Sequence, residues 1–192
     1  IIKCIGADNN SILLLSVGEL NKNKNNKVII EALGKLKNPK IHYLLCGIGE
    51  MKAYLIDLAK KNNIEKNIHF LGYRADIPQL LKSVDIFVMP SYREGLSRSL
   101  MEAMAAGLPC VVSKIRGNVD LIEENKGGFL RYPNDIEGLT DAIKTLADDK
   151  DLRISMGKYN LAIIRKYDVE NIKKKMKKIY YNVLGEVENE KN

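Results

Sequence analysis

Short apolar runs recur along the chain, and most are followed by a segment whose apolar positions lie three and four apart. Residues 12–17 (ILLLSV), 41–46 (IHYLLC), 68–72 (IHFLG), 85–90 (DIFVMP), 109–113 (PCVVS) and 127–131 (GGFLR) read as six strands. Between them, helical spacing marks 28–36, with Val28, Ile29, Ala32, Leu33 and Leu36 on one face, and about 50–62, with Met51, Leu55, Leu58 and Ala59. Shorter helices are predicted near 77–82, after residue 97 and over 118–124. The remainder is helical over 136–148, 151–166 and 169–184, before a polar tail, EVENEKN, that reads as frayed. Strands rich in Ile, Leu and Val that alternate with helices imply βαβ units and a parallel sheet covered on both faces. The fold class is therefore α/β, a Rossmann-like parallel sheet of about six strands flanked by helices. In such a sheet ligands bind outside the carboxyl ends of the strands. The loops GELNKNK, GIGE, GYRAD, PSYREG and SKIRGN should then share one edge.

Composition narrows the classes. A chain of 192 residues fits one large domain or one lobe of a larger enzyme. No run of about 18 apolar residues is present, so no membrane span is predicted, and no signal peptide opens the chain. The opening IIKC, without an initiator Met, reads as internal to a longer protein. Cys46 and Cys110 sit in apolar runs, and with Cys4 they read as buried, inert thiols of a reducing compartment. No His or Cys pair has metal-ligand spacing. The formal charge of +7 owes much to KKKMKK at 173–178, either a solvated helix face or a surface for anionic lipid or substrate. Aromatic residues are few and not interleaved with the lysines, so nucleic acid is not an expected partner.

Three loops carry candidate chemistry. The loop after the first strand holds Lys22, Lys24 and Lys27 within six residues. These can reach a phosphate as point charges or simply be solvated. The GIGE turn, with Gly47 and Gly49, has a G-x-G but not the longer dinucleotide fingerprint, and a tight strand-to-helix turn explains it as well. An oxidoreductase or methyltransferase would need a glycine-rich loop after the first strand, and that loop is rich in Lys and Asn instead.

The third loop, PSYREGLSRSLMEAMAAGLP at 90–109, is the most informative. Gly95 permits close backbone approach, Ser97 or Ser99 can cap the following helix, and a helix start is a ready anion site. Glu102 fits a capping box, Ser99-Leu-Met-Glu102, or a carboxylate that receives two vicinal hydroxyls such as those of a ribose. Glu94 binds sugar hydroxyls, supports a developing positive charge, or faces water.

This segment resembles the donor-binding signature of the family 4 (group 1) glycosyltransferases: proline and serine, Glu-Gly, then a helix with Glu-Ala-Met-Ala-x-Gly-x-Pro. Glu94 and Glu102 keep the family's separation of seven intervening residues. SVGELNKNK, LLCGIGE, IHFLGYRADIPQLL, VDIFVMPS and PCVVSKIRGNVDLI before GGFL are further landmarks, so the likeness covers nearly the whole chain. It implies a GT-B enzyme of two Rossmann-like domains, of which this chain resembles the C-terminal, donor-binding half. Residues 1–10 would end the interdomain linker, 11–168 would form the nucleotide-sugar-binding domain, and 169–192 would be a crossover helix and tail that returns to the N-terminal domain.

The resemblance also implies roles. Lys24 would contact the donor diphosphate. The backbone at Gly95, Leu96 and Ser97, with the helix start at Ser99 and Leu100, would cradle phosphate and sugar. Glu94 would bind the transferred sugar and stabilise charge at its anomeric carbon, as the catalytic residue, and Glu102 would bind the ribose. Tyr73 and Arg74 would flank the base, and Gly47 and Gly49 would keep the cleft floor open. The implied activity is a retaining, metal-independent transfer from a nucleoside diphosphate sugar, UDP being the family's commonest nucleotide, to a saccharide or lipid-linked saccharide. The work would be done in the cytoplasm, in part at the inner membrane face. One departure stands out: the family's arginine is Glu19 here, in Gly18-Glu19-Leu20. That keeps open a nucleotide-sugar-binding domain without transferase activity.

Overall fold

The computed structural model describes residues 5–189, with side chains through residue 184. Cys4, the first four residues and the last three lie outside the described residues. The six strands are β1 (Ile12–Val17), β2 (Ile41–Cys46), β3 (Ile68–Gly72), β4 (Ile86–Met89), β5 (Cys110–Ser113) and β6 (Gly128–Arg131). They form one sheet in the order β3-β2-β1-β4-β5-β6, and each neighbouring pair is parallel. Between β1 and β4 the direction of winding reverses, which opens a crevice at the carboxyl ends of those two strands.

The strands are continuous apolar runs because helices cover both faces; every residue of β2, β4 and β5 is buried. One face packs Leu14, Tyr43, Leu45, Val88 and Val111 beneath α1 (Lys27–Leu36), α2 (Lys52–Lys61) and α6 (Ile136–Asp148). The other packs Leu13, Leu15, Leu44, Phe87, Met89 and Val112 beneath α3 (Ile77–Leu81) and α4 (Arg98–Ala105). The buried phenol of Tyr43 is bonded to Ser16 Oγ and Asn26 Oδ1, which satisfies its hydroxyl and ties β1, β2 and the start of α1 together. Cys46 and Cys110 are buried free thiols, and burial pushes both up from the ordinary thiol range.

Two elements differ from the expected ones. In place of a helix over 118–124, α5 is a single turn, Arg116–Val119. Asn118 turns its amide into the interior, Nδ2 donating to Ser113 O at 2.8 Å, and the chain then winds through turns that bury Leu121 and Ile122. After α7 (Lys150–Ile164), α8 spans Val169–Asn189, five residues past the expected end at 184. Ile172, Met176, Ile179, Tyr180 and Leu184 on α8 are exposed, and the lysines of 173–178 are exposed with them. Among the described residues no helix is long and apolar enough to cross a membrane.

Candidate functional site: the carboxyl edge of the sheet

The loop leaving β1 and the loop leaving β4 meet over the crevice. Lys24 Nζ lies 2.7 Å from Glu94 Oε1, with 22% and 13% of the two side chains exposed. The backbone sets this approach. Tyr92 N donates to Asn23 O, and Asn23 Nδ2 donates to Arg93 O, each at 2.9 Å. Asn25, in the left-handed region at φ 50°, donates Nδ2 to Pro90 O at 3.2 Å and to Pro133 O at 2.7 Å. Tyr92 OH donates to Asn134 Oδ1 at 2.7 Å. Three loops, after β1, β4 and β6, are thereby stitched into one rim.

Glycines make further close contacts. A Cβ on Gly117 of α5 would lie 1.9 Å from Gly95 O and 2.8 Å from Glu94 O, so α5 presses directly on the backbone of the Glu94 loop. Gly95 itself faces open space. The close contact within the protein is thus made by Gly117, and Gly95 keeps its side open. Gly47 and Gly49, expected at the floor of the cleft, also make close contacts within the protein. A Cβ on Gly47 would sit 1.9 Å from Gly18 O, and one on Gly49 would sit 2.4 Å from Leu20 O. Both let the β2 loop lie against the β1 loop.

Ser97 caps α4: its backbone is extended and its Oγ accepts from Leu100 N at 3.5 Å. Ser99 lies inside the helix, its Oγ 3.2 Å from that of Ser97. A capping box from Ser99 to Glu102 is therefore not formed. Glu102 instead accepts from Arg98 Nε at 2.9 Å, one turn earlier, with about a third of its side chain exposed. Leu100 is fully buried, so its side chain packs and only its N–H faces the helix start. Leu96 is half exposed.

The expected site residues fall into three groups. Gly47, Gly49, Tyr73 and Arg74 line one hollow of about 630 Å³, joined by Val17, Gly18, Glu19 and Ile77. Arg74 is held there by Asp76, Nε to Oδ1 at 2.7 Å. Glu19 is exposed and accepts from Asn21 Nδ2 at 2.9 Å. Lys24, Glu94, Gly95 and the start of α4 form the second group, next to the first through Gly18, whose open side carries the stem of Lys24. Glu102 lines a different hollow, of about 440 Å³, with Arg98, Met101, Arg165, Tyr167 and Asp168. The basic loop is divided: Lys22 and Lys27 turn away from Lys24 to a hollow with Met51, Tyr54 and Tyr92. The sequence did not single out Asn23 or Asn25 for site-building, nor the contact of Gly117. The only local signal was an asparagine-rich loop, a residue type that accepts left-handed backbone and short-range hydrogen bonds.

Residues 1–163 match the family model described as "Glycosyl transferases group 1". The chain belongs to this family. It is 33% identical, over 95% of its length and 48% of the other, to the UDP-Gal:alpha-D-GlcNAc-diphosphoundecaprenol alpha-1,3-galactosyltransferase of Escherichia coli. Its fold superposes on Anabaena Alr3699/HepE in complex with UDP with a TM-score of 0.87, at 26% identity, covering 94% of this chain and 51% of that one. Against the same Anabaena protein in complex with UDP-glucose the TM-score is 0.86, at 27% identity and the same coverage. The chain spans about half the length of the curated relatives it matches. This group 1 glycosyltransferase chain thus has the Rossmann-like architecture of a GT-B half.

Proposed function

We propose that the chain is the donor-binding half of a retaining glycosyltransferase that transfers a sugar from a nucleoside diphosphate sugar, UDP being the nucleotide, to an acceptor hydroxyl in polysaccharide or glycolipid synthesis. The observation that carries this reading is the pairing of Lys24 with Glu94 across the crevice between β1 and β4. A cation suited to the diphosphate and a carboxylate suited to sugar hydroxyls stand side by side where a doubly wound sheet receives its ligand. UDP and UDP-glucose in the Anabaena structures support the choice of donor.

In this reading Tyr73, Arg74, Gly47 and Gly49 border the base, and Glu102 receives the ribose hydroxyls once it exchanges Arg98 for them. Lys24 and the first N–H groups of α4 hold the diphosphate. Charge that builds on the leaving diphosphate meets a fixed cation and a helix start already aimed at it, so little reorganisation is required as the bond breaks. Glu94 holds the sugar and faces the positive charge that develops at its anomeric carbon. The open side of Gly95 leaves room for the sugar ring beside the loop. The scheme assigns the charge of the diphosphate to Lys24 and the start of α4, without a metal.

The acceptor site belongs to an N-terminal domain of the same enzyme, and the apolar residues of α8 are the surface that meets it. A lipid-linked acceptor, of the kind named for the Escherichia coli relative, brings the enzyme from the cytoplasm to the inner face of the membrane. There the lysines of 173–178 complement anionic headgroups. Calorimetry with UDP, GDP and ADP tests the donor reading. UDP is expected to bind at micromolar to millimolar concentration, and failure of all three to bind at millimolar concentration would overturn it.

A further inference from the structure

We propose that Glu94, through its pairing with Lys24, selects against the free nucleoside diphosphate and in favour of the nucleoside diphosphate sugar. This rests on the donor-site reading above and adds to it a discrimination between substrate and product.

Among the ion pairs of the described residues, Lys24–Glu94 is the most enclosed, at 22% and 13% exposure; the next, Arg131–Glu124, stands at 24% and 38%. Its geometry is imposed by more than charge. The Lys24 stem lies over Gly18, where a Cβ would come 3.0 Å from Cε and 3.4 Å from Nζ. Lys24 N donates to Asn21 Oδ1 at 3.1 Å. The Glu94 loop is fixed from one side by Asn23 on Arg93 O and from the other by Gly117 on the carbonyls of Glu94 and Gly95. The two loops are therefore held so that the two side chains face each other across the crevice.

An anion that reaches Lys24 must then come close to the Glu94 carboxylate. An ammonium has three donors, and Glu94 occupies one, so a phosphate oxygen can take another without breaking the pair. Two like charges then stand a few ångströms apart in a setting partly closed to water, where screening is weak. The two ligands feel this carboxylate differently. In a nucleoside diphosphate sugar the distal phosphate is esterified, and the sugar brings hydroxyl donors that a carboxylate accepts. After transfer, the free diphosphate has lost those donors and gained an ionisable oxygen at the same place. The carboxylate that favours the substrate thus opposes the product, and helps the nucleotide leave.

Calorimetry on the chain tests this with UDP, UDP-glucose and inorganic diphosphate, for the parent and for Glu94→Gln, Glu94→Ala and Lys24→Gln, each first checked for an intact thermal transition. Glu94→Gln is expected to bind UDP and inorganic diphosphate on the order of tenfold more tightly, with no gain for UDP-glucose. Glu94→Ala should repeat the gain for UDP if the glutamine variant unfolds. Lys24→Gln should weaken UDP and UDP-glucose alike. UDP affinity that is unchanged or weaker in both Glu94 variants, with a parent that binds UDP, overturns the selectivity proposal and leaves the donor site standing. A parent that binds no nucleotide overturns both.

Discussion

The α-carbon of Gly117 lies so close to Gly95 that a methyl group added to it would stand 1.9 Å from the Gly95 carbonyl oxygen. One turn of α5 therefore fixes the height of the loop that carries Glu94. Gly117→Ala must push backbone against backbone, which costs about 1–3 kcal/mol, typical of overpacking in a closed site. The expected result is a lower melting temperature together with weaker UDP-glucose binding. Gly95→Ala, whose Cβ would meet open space, should leave the melting temperature within a degree or two of the parent, on the order of the scatter for surface changes. Thermal unfolding of the two variants side by side checks this.

The cap of α4 separates two serines that look interchangeable in sequence. Ser97→Ala removes the Oγ that accepts from Leu100 N and should destabilise by about 1 kcal/mol. Ser99→Ala should change stability by less than about 0.5 kcal/mol. Urea unfolding reads both, and equal losses would contradict the assignment of Ser97 as the cap.

Glu102 makes no cap, and its bond is to the largely exposed Arg98. Pairs of this kind contribute roughly 0–1 kcal/mol. Glu102→Ala should accordingly leave the denaturation midpoint nearly unchanged while it weakens UDP binding severalfold, as measured by calorimetry. A large loss of stability with intact UDP affinity would return the residue to a structural role.

His42 and His69, on the adjoining strands β2 and β3, share a hydrogen bond of 2.9 Å between ring nitrogens. Burial, and then the neighbouring His42, push His69 down to about 4 from an ordinary 6.5, and burial lowers His42 as well. Both protonate more readily in the unfolded chain, so that state binds more protons between pH 6.5 and about 4. Stability is therefore full above 6.5 and falls as the pH drops through this window. Partial exposure of His69 limits the loss to the order of 1 kcal/mol. Melting temperature against pH should slope downward over this interval, and His69→Gln should flatten it.

The strands were legible for a physical reason. A parallel sheet buried on both faces needs uninterrupted apolar runs, and 12–17, 41–46 and 68–72 are found at the expected bounds. The long helices α1 and α6 were legible from their 3.6-residue spacing. The cap of α4 was not, because Ser97 and Ser99 both suit a helix start, and the extended backbone at Ser97 decides between them. The expected helix at 118–124 failed because a four-residue element carries too little periodicity to place, and the buried amide of Asn118 shaped that segment. Lys24 and Glu94 were each legible as candidates. Their contact was not, since seventy positions separate them and only the strand order brings them together.

The stitching of the rim has a consequence for how such an enzyme can change its donor. Asn23, Tyr92 and Asn134 come from three separate loops, and each depends on another's hydrogen bonds. A loop grafted alone from a relative would arrive without its partners and leave polar groups unmatched, the buried amide of Asn25 between Pro90 O and Pro133 O among them. New specificity at this edge is therefore inherited, or engineered, as a matched set of three loops.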